Sequence, residues 1–396
     1  MSFSMIDNSL AISATSKHQS SATTEVILVR HGRSTFNEQG RYQGCSDESV
    51  LTEKGIAAAE KTGQALSHLK FDAIYTSPLQ RVRQTTEKII AVLENIQGKQ
   101  SPVCVDERLT EINMTAWQGL TYKYVRANLT EDYQCWQRTP HLFSFNLPSG
   151  KIYFPLKELY QKAQQFWQDI LSKHQGQRIL VVAHGGTNRA LISTAIGLDP
   201  QYYHTLQQSN TCINILEFLD SNYQTGKLKI LNFTQHLGEI LPKLKEGKQG
   251  WRWLFVSDQC KSQQQLRESL GQESIDLIFS EYSELSQTIA ESWCQACPKA
   301  LHLSVRQGNF LEVWQKNLAS KQQKNHLSHS ELITCLIVGN QQPLSEILTQ
   351  VFQAPLSFDF ETDFVVIHFP PSHSYPILQG LLPMSSLNIS DQIAFA

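Results

Sequence analysis

Glu25-Val-Ile-Leu-Val-Arg-His-Gly32 decides the fold: an aliphatic run stops abruptly at a cationic pair followed by a glycine. Its β-branched and aliphatic residues predict a buried strand over residues 25–30. Open α/β sheets place their ligand sites at the carboxyl ends of strands, so Arg30 and His31 are expected at such an edge. A guanidinium, an imidazole and exposed backbone N–H groups at that edge favour binding of a phosphate.

Strand-like and helical patterns alternate beyond this first run. Strands are predicted at 71–76, 178–183 and 211–218, and helices at 52–69, 79–95, 156–173 and 187–196. This alternation is typical of a parallel sheet flanked by helices.

The alternation stops and then restarts in the second half of the chain. Residues 238–250 contain Pro242 and three glycines with little periodicity, which predicts a linker. Strands are predicted again near 252–256, 275–279, 332–338 and 363–369. Asp72-Ala-Ile-Tyr-Thr76 is echoed by Asp276-Leu-Ile-Phe-Ser280, and each leads into a helical pattern. Two diverged copies of one fold would explain this similarity, although any two α/β domains share some alternation of strands and helices.

Composition excludes several classes of protein. The 396 residues are 41% hydrophobic and 18% charged, as in a folded globular protein, and the net charge of −2 attracts neither nucleic acid nor a membrane. Residues 1–24 are rich in serine and threonine and lack an apolar signal region, so a disordered tail is expected. Eight scattered cysteines, including the isolated pair Cys294 and Cys297, lack zinc spacing and indicate a reducing cytoplasm.

Three further segments supply partners for the first strand end. The run 179–183 stops at His184-Gly185-Gly186, where a helix N-terminus favours an anion. Arg81 lies in the first turn of the helix that follows the strand 71–76, and arginine suits bidentate phosphate contacts. Glu111, in a loop-rich stretch, is a carboxylate candidate.

Together these residues suffice for phosphoryl transfer. His31 can attack phosphorus and form a phosphohistidine, while Arg30, Arg81 and His184 stabilise charge on the equatorial oxygens. Glu111 can protonate the leaving alkoxide and then activate water. No metal or cofactor is required. Each residue alone has an ordinary explanation as a turn, a solvated arginine or a surface carboxylate, so the prediction rests on their order and spacing.

The motifs resemble those of the histidine phosphatase superfamily, also called phosphoglycerate mutase-like. Four motifs carry the resemblance in the family's order: Arg30-His31-Gly32-x-Ser34-x-x-Asn37, Ser77-Pro78-Leu79-x-Arg81, Leu109-x-Glu111 and His184-Gly185. The resemblance implies a three-layer α/β/α sandwich with a mainly parallel sheet. It also implies that His31 is the phosphorylated residue, that Glu111 is the proton donor, and that Arg30, Arg81 and His184 form the phosphate pocket. Asn37, Ser34 and Gly185 are then expected beside the substrate.

One branch of the family is more similar still. Arg41-Tyr-Gln-Gly-Cys-Ser-Asp-Glu-Ser-Val-Leu-Thr52 and Gln207-Gln-Ser-Asn210 resemble the plant-type 2-carboxy-D-arabinitol-1-phosphate phosphatases and their cyanobacterial relatives. Those proteins carry a second, phosphatase-like domain. We therefore predict a catalytic domain over 25–237, a linker over 238–250 and a degenerate, inactive phosphatase-like domain over 251–396.

Several alternatives stay open on sequence alone. Glu111 and His184 are 73 residues apart, a shorter span than in the cofactor-dependent mutases, which favours a phosphatase over a mutase. The substrate side departs from the family because Lys151 stands in Pro148-Ser-Gly-Lys151, where many relatives have a carboxylate. Lys151 could meet a substrate carboxylate or be a solvated surface lysine. The expected partner is a small phosphorylated substrate, a homodimer is possible, and a regulatory or scaffold role through the C-terminal domain is the alternative from another class.

Overall fold

The computed structural model describes residues 23–260, 262–270, 273–306, 312, 331–352, 363–373 and 375–383. Most of the expected tail, residues 1–22, lies outside the described residues, and the first strand begins at Thr24. The strands are β1 Thr24–Arg30, β2 Ala73–Thr76, β3 Val103–Val105, β4 Phe145–Asn146, β5 Ile152–Tyr153, β6 Arg178–Ala183, β7 Ile213–Phe218, β8 Lys227–Phe233, β9 Gly250–Ser257, β10 Leu277–Glu281, β11 Leu301–Val305, β12 Leu332–Gly339, β13 Asp363–Phe369 and β14 Ile377–Pro383. The α-helices are α1 Thr35–Gln39, α2 Glu53–Leu66, α3 Gln80–Gln97, α4 Tyr122–Asn128, α5 Thr130–Arg138, α6 Pro155–Lys173, α7 Gly185–Ala195, α8 Gln263–Ser269, α9 Glu284–Ala296 and α10 Gln341–Phe352.

Twelve of these strands form one sheet in the order β11-β10-β12-β9-β13-β14-β8-β7-β1-β6-β2-β3. The strands follow the same pattern from either edge of the sheet toward its middle. Four parallel strands come first, and two strands that pair antiparallel follow them. The two halves meet where β14 pairs with β8 at Leu381 and Leu231. The repeated strand order agrees with a duplicated α/β fold whose sheet is mainly parallel.

Both faces of the sheet are covered by helices, because the strands are apolar on both sides. Along β1, Val26 and Leu28 belong to the core on the side of α6 and α7, while Ile27 and Val29 belong to the core on the side of α2 and α3. Arg30 continues β1 to the edge where parallel strands end. The three layers therefore carry the polar end of β1 to the ligand edge of the sheet.

The long predicted elements agree with the structure to within a few residues. β2 begins at Ala73 rather than at residue 71, because the Asp72 carboxylate accepts a hydrogen bond from the Arg178 backbone N–H, 2.8 Å away. α7 begins at Gly185 rather than at residue 187, because His184 is its N-cap. The short helices α4 and α5 and the strands β8 and β14 were not predicted from the sequence.

The predicted linker 238–250 has no helix or strand before β9, but it is anchored. Leu241 is buried, and the Lys243 carbonyl accepts a hydrogen bond from Gln207 Nε2 at 3.0 Å. At its end, the Gln249 carbonyl lies 2.9 Å from Nε2 of His368 on β13. The domain boundaries stay a prediction, and the segment that joins the two halves is held against both of them.

Candidate active site

His31 lies directly after β1 and is buried, with 1% of its surface exposed. Its backbone N–H donates to the Ala183 carbonyl at the end of β6, 2.9 Å away, which brings the two predicted strand ends together. Its Nδ1 lies 2.8 Å from the Gly32 carbonyl oxygen. Because a carbonyl can only accept, Nδ1 carries the proton and Nε2 keeps a free lone pair.

Electrostatics keep this imidazole neutral. Burial, followed by the charges of Arg30 and Arg81, lowers the pKa of His31 well below its usual value. His184 is also fully buried, and burial with the charge of Arg81 lowers its pKa well below the usual value. The two imidazole rings meet edge to face, with centroids 5.3 Å apart. A neutral His31 with a free Nε2 is in the correct state for nucleophilic attack.

Two arginines lie beside the histidines, and each is held by backbone carbonyls. Arg81 is fully buried and donates to the carbonyls of Ser46 at 2.8 Å and Gly44 at 2.9 Å. Arg30 donates to the Gln208 carbonyl at 2.7 Å. Burial lowers the pKa of Arg81 to about 10, so this guanidinium stays charged at neutral pH.

Three buried donors around His31 have no hydrogen-bond partner among the described residues: Nε of Arg30, Nε of Arg81 and Nδ1 of His184. Ser77 Oγ lies 2.8 Å from Nε2 of His184 and orients its ring. Leaving a buried donor unsatisfied costs about 1–3 kcal/mol. Two of these three donors belong to guanidinium cations, and together the three point to a site that is completed by an anion with several oxygens.

Glu111 reaches the same place from the loop that follows β3. Its carboxylate accepts from the backbone N–H of Ile112 at 2.9 Å and from that of Gly186, in the first turn of α7, at 3.1 Å. A Cβ on Gly186 would lie 2.2 Å from Oε1 of Glu111, so a glycine is required for this contact. The helix N-terminus and Glu111 are therefore fixed relative to one another.

Of the other residues predicted to contact the substrate, three lie beside residues of the site and one does not. Ser34 is the N-cap of α1 and shares hydrogen bonds with Asn37, whose Oδ1 also accepts from Asn210 Nδ2 at 3.0 Å. Gly185 lies against Arg30, since a Cβ there would be 3.1 Å from Nε of that arginine. Lys151 is exposed in the turn between β4 and β5 and does not line the cavity described below. Its contact with substrate stays a prediction.

A cavity of about 310 Å³ adjoins the cluster, because Glu111, Gly186 and Gly44 line it. None of the other polar residues of its wall was predicted as a site residue, although the first two and Gln207 belong to the quoted branch motifs: Tyr42, Gln43, Gln137, Arg189, Tyr203, His204, Gln207, Lys245, Glu246, His373 and Tyr375. Arg189 lies on α7, the helix that His184 caps, so its presence near the site could have been predicted from the sequence. The last four come from the predicted linker and from the loop between β13 and β14, which sequence spacing alone does not connect to the site.

The corresponding edge of the C-terminal half differs in charge. Asp258 takes the place of His31, since its backbone N–H donates to the Gly339 carbonyl at the end of β12, 2.9 Å away. Its carboxylate accepts from Ser286 Oγ at 2.8 Å. Buried Glu281, at the end of β10, accepts from the backbone N–H of Asn340, which occupies the position of His184. At this edge a carboxylate therefore replaces the imidazole of His31, Ser257 takes the place of Arg30, and Glu281 takes the place of Ser77.

The described residues contain no cluster of three or more histidine, cysteine or acidic side chains placed to hold a metal ion. Within the same residues, no helix is long and apolar enough to cross a membrane.

The chain belongs to the histidine phosphatase superfamily, branch 1, whose family model matches residues 26–230. It is 40% identical over 197 residues to a probable 2-carboxy-D-arabinitol-1-phosphatase of Arabidopsis thaliana, covering 50% of this chain and 38% of that protein. It is 31% identical over 216 residues to phosphoserine phosphatase 1 of Hydrogenobacter thermophilus, covering 54% of this chain and 95% of that one.

Among solved structures, a phosphoserine phosphatase from Entamoeba histolytica in complex with 3-phosphoglyceric acid is 28% identical, with a TM-score of 0.46. The alignment covers 54% of this chain and 99% of that one. The matched part spans less than two fifths of the length of the plant relatives.

Proposed function

We propose that the protein hydrolyses small sugar phosphates or phosphorylated sugar acids without a metal ion, through a phosphohistidine at His31. The observation that carries this proposal is the set of buried donors without partners around the free Nε2 of His31, with Glu111 beside them. Family membership supports the reaction class, and the partial match to plant 2-carboxy-D-arabinitol-1-phosphatases supports a phosphorylated sugar acid.

The first step forms the phosphoenzyme. Nε2 of His31 attacks phosphorus, and the bond from phosphorus to the ester oxygen breaks. Arg30, Arg81 and His184 donate to the equatorial oxygens as charge develops on them. Protonated Glu111 transfers its proton to the departing alkoxide, which leaves as an alcohol.

The second step returns the enzyme to its starting state. The Glu111 carboxylate takes a proton from water as that water attacks phosphorus and the bond to Nε2 breaks. Phosphate leaves, His31 is neutral again, and Glu111 is protonated. The hydrogen bond from Nδ1 to the Gly32 carbonyl keeps the same tautomer available for the next turnover.

We propose further that the C-terminal half has no turnover of its own. Asp258 and Glu281 would repel a phosphate at the edge where the N-terminal half has cations. A His31→Ala protein should therefore have no residual phosphatase activity.

A rapid-quench experiment with a labelled substrate tests the mechanism. Acid-labile, base-stable label should appear on His31 during turnover, and the rate should be unchanged by EDTA. Turnover without that label, or complete loss of activity that added metal restores, would reject the proposed mechanism. A panel of phosphorylated compounds, scored for phosphate release and for isomer formation, tests the reaction class, since isomers without phosphate release would indicate a mutase.

A further inference from the structure

Lys245 is the cation of the joining segment 238–249 that lines the cavity beside Glu111. The segment is fixed there, because the Lys243 carbonyl accepts from Gln207 Nε2 at 3.0 Å. Lys245 remains accessible to solvent although protein surrounds it. This combination is expected for a side chain that projects into an open cavity.

Charges of both signs lie around Lys245. Arg30 and Arg189 oppose its positive charge and Glu246 favours it, and Glu111 lines the same cavity. Within the described part of the chain, no carboxylate lies at ion-pair distance from its ammonium, and neighbouring Glu246 is instead 3.7 Å from His373. Arg189 and Lys245 line the cavity and Arg30 lies within electrostatic reach of both, so an anion between these cations offsets their repulsion.

The surrounding protein, followed by the charges of Arg30 and Arg189, lowers the pKa of Lys245 well below its usual value. A bound anion would stabilise the charged form and reverse the shift. The charge of Lys245 also contributes to the lowered pKa of His31, which places the lysine within electrostatic reach of the nucleophile.

We infer that Lys245 binds a second anionic group of the substrate, a carboxylate or a second phosphate, while the reacting phosphate lies against His31. The inference rests on the proposed function and assigns the specificity side of that same site. It also implies that the substrate pocket of the N-terminal half is completed by the joining segment and by the C-terminal half.

The C-terminal half supports this arrangement with direct contacts. Tyr375 donates to Oε1 of Gln137 on α5 at 3.3 Å and stacks on His204 with ring centroids 6.2 Å apart. His368 on β13 lies 2.9 Å from the carbonyl of Gln249 at the end of the joining segment. The loop before β14 therefore closes one side of the cavity, and β13 holds the segment that carries Lys245.

Lys245→Met tests the assignment against the matched control Lys248→Met, because Lys248 is exposed on the same segment and does not line the cavity. Two pairs of probes differ by one anionic group: 3-phosphoglycerate with glycerol 3-phosphate, and fructose 1,6-bisphosphate with fructose 6-phosphate. For Lys245→Met, we expect KM to rise roughly 10- to 100-fold for the preferred doubly anionic probe. KM for its singly anionic partner should change less than threefold, and Lys245→Arg should recover most of the loss.

Binding provides a readout that needs no turnover. Calorimetry on His31→Ala and on His31→Ala/Lys245→Met, with the same four probes, should reproduce the selective loss. Equal affinities in the two proteins, or equal losses for both members of a pair, would overturn the role of Lys245. If the native enzyme hydrolyses no probe but the selective loss of binding is seen, the proposed hydrolysis fails and the second anion site stands. Whether the carboxylate or the second phosphate shows the larger loss identifies the preferred anion.

Discussion

Glu111 depends on one glycine for its position. The Gly186 backbone N–H holds the carboxylate at 3.1 Å, and any side chain at residue 186 would collide with it. The proton donor of the proposed reaction is thus positioned by the first turn of the same helix that His184 caps. This arrangement leads to two linked predictions.

Glu111→Gln keeps the hydrogen-bond acceptor but cannot supply or take up the proton. We expect kcat to fall on the order of 10²–10⁴-fold, the usual contribution of general acid–base catalysis. Steady-state kinetics measures this loss, and Glu107→Gln is the control, because Glu107 is an exposed carboxylate in the same loop region. Equal activities of the two variants would remove Glu111 from the mechanism.

Gly186→Ala should reproduce much of that loss without removing the carboxylate, because the new Cβ displaces Glu111. If the two substitutions act through the same group, the double variant should be no slower than Glu111→Gln alone. A thermal melt separates this effect from unfolding. Additive losses would show that Gly186 acts by another route.

His31, His184 and Arg81 could be predicted from the sequence because each lies where a regular element begins or ends. His31 and His184 follow continuous aliphatic runs, and Arg81 lies in the first turn of a helix with period 3.6. Lys245 has no such pattern around it. Its place in the cavity depends on the contacts of the joining segment with Gln207 and β13, which are tertiary and therefore not readable from spacing.

At the scale of the elements, the long ones were predictable and the short ones were not. β1, β6, α3 and α6 bury continuous apolar faces, and this burial is encoded locally. α4 and α5 are short and mostly exposed, and β3 has an exposed residue at every position, so their formation depends on neighbours more than on sequence pattern. Tertiary packing decides such segments.

One contact between elements controls the orientation of His184. Ser77, directly after β2, places its hydroxyl 2.8 Å from Nε2 of the imidazole that caps α7. Ser77→Ala should lower kcat on the order of tenfold, because the ring loses the bond that directs Nδ1 toward the phosphate. Ser172→Ala is the control, since its hydroxyl is exposed and bonds within α6. A fall in thermal stability with an unchanged kcat would contradict the positioning role.

For the whole molecule, the continuous sheet couples the two halves. Leu231 of β8 and Leu381 of β14 are paired across the junction and are both buried. Leu231→Ala should destabilise the protein by about 2–5 kcal/mol through loss of packing and formation of a cavity. Urea unfolding followed by tryptophan fluorescence measures the effect, since both halves contain buried tryptophans, Trp167 and Trp253 among them. If the unfolding curve showed two transitions, with only one of them shifted, the halves would not be coupled through this junction.

Histidines whose pKa is lowered by the surrounding protein reduce the stability of the fold at acid pH. Burial lowers the pKa of His204 to about 3 and that of His236 to about 4, and it lowers the pKa values of His31 and His184 well below the usual value. In the unfolded chain these groups return to about 6.5, so below that pH the unfolded state binds more protons than the native state. Stability therefore decreases as the pH falls from 6.5 toward 4.

Each of these histidines can contribute a slope of up to about 1.4 kcal/mol per pH unit in that window. Urea unfolding at pH 7, 6 and 5 should give a falling free energy of unfolding. His236→Gln should reduce the slope of the free energy of unfolding against pH by the contribution of one histidine. The glutamine amide can keep the contact with Thr62, 3.1 Å from Nε2, without titrating. His68→Gln, at an exposed histidine that follows α2, provides a matched histidine substitution as the control. A free energy of unfolding that is constant or rising between pH 7 and 5 would mean that these imidazoles accept protons in the folded state, and His31 would then lose its neutral form at the same pH.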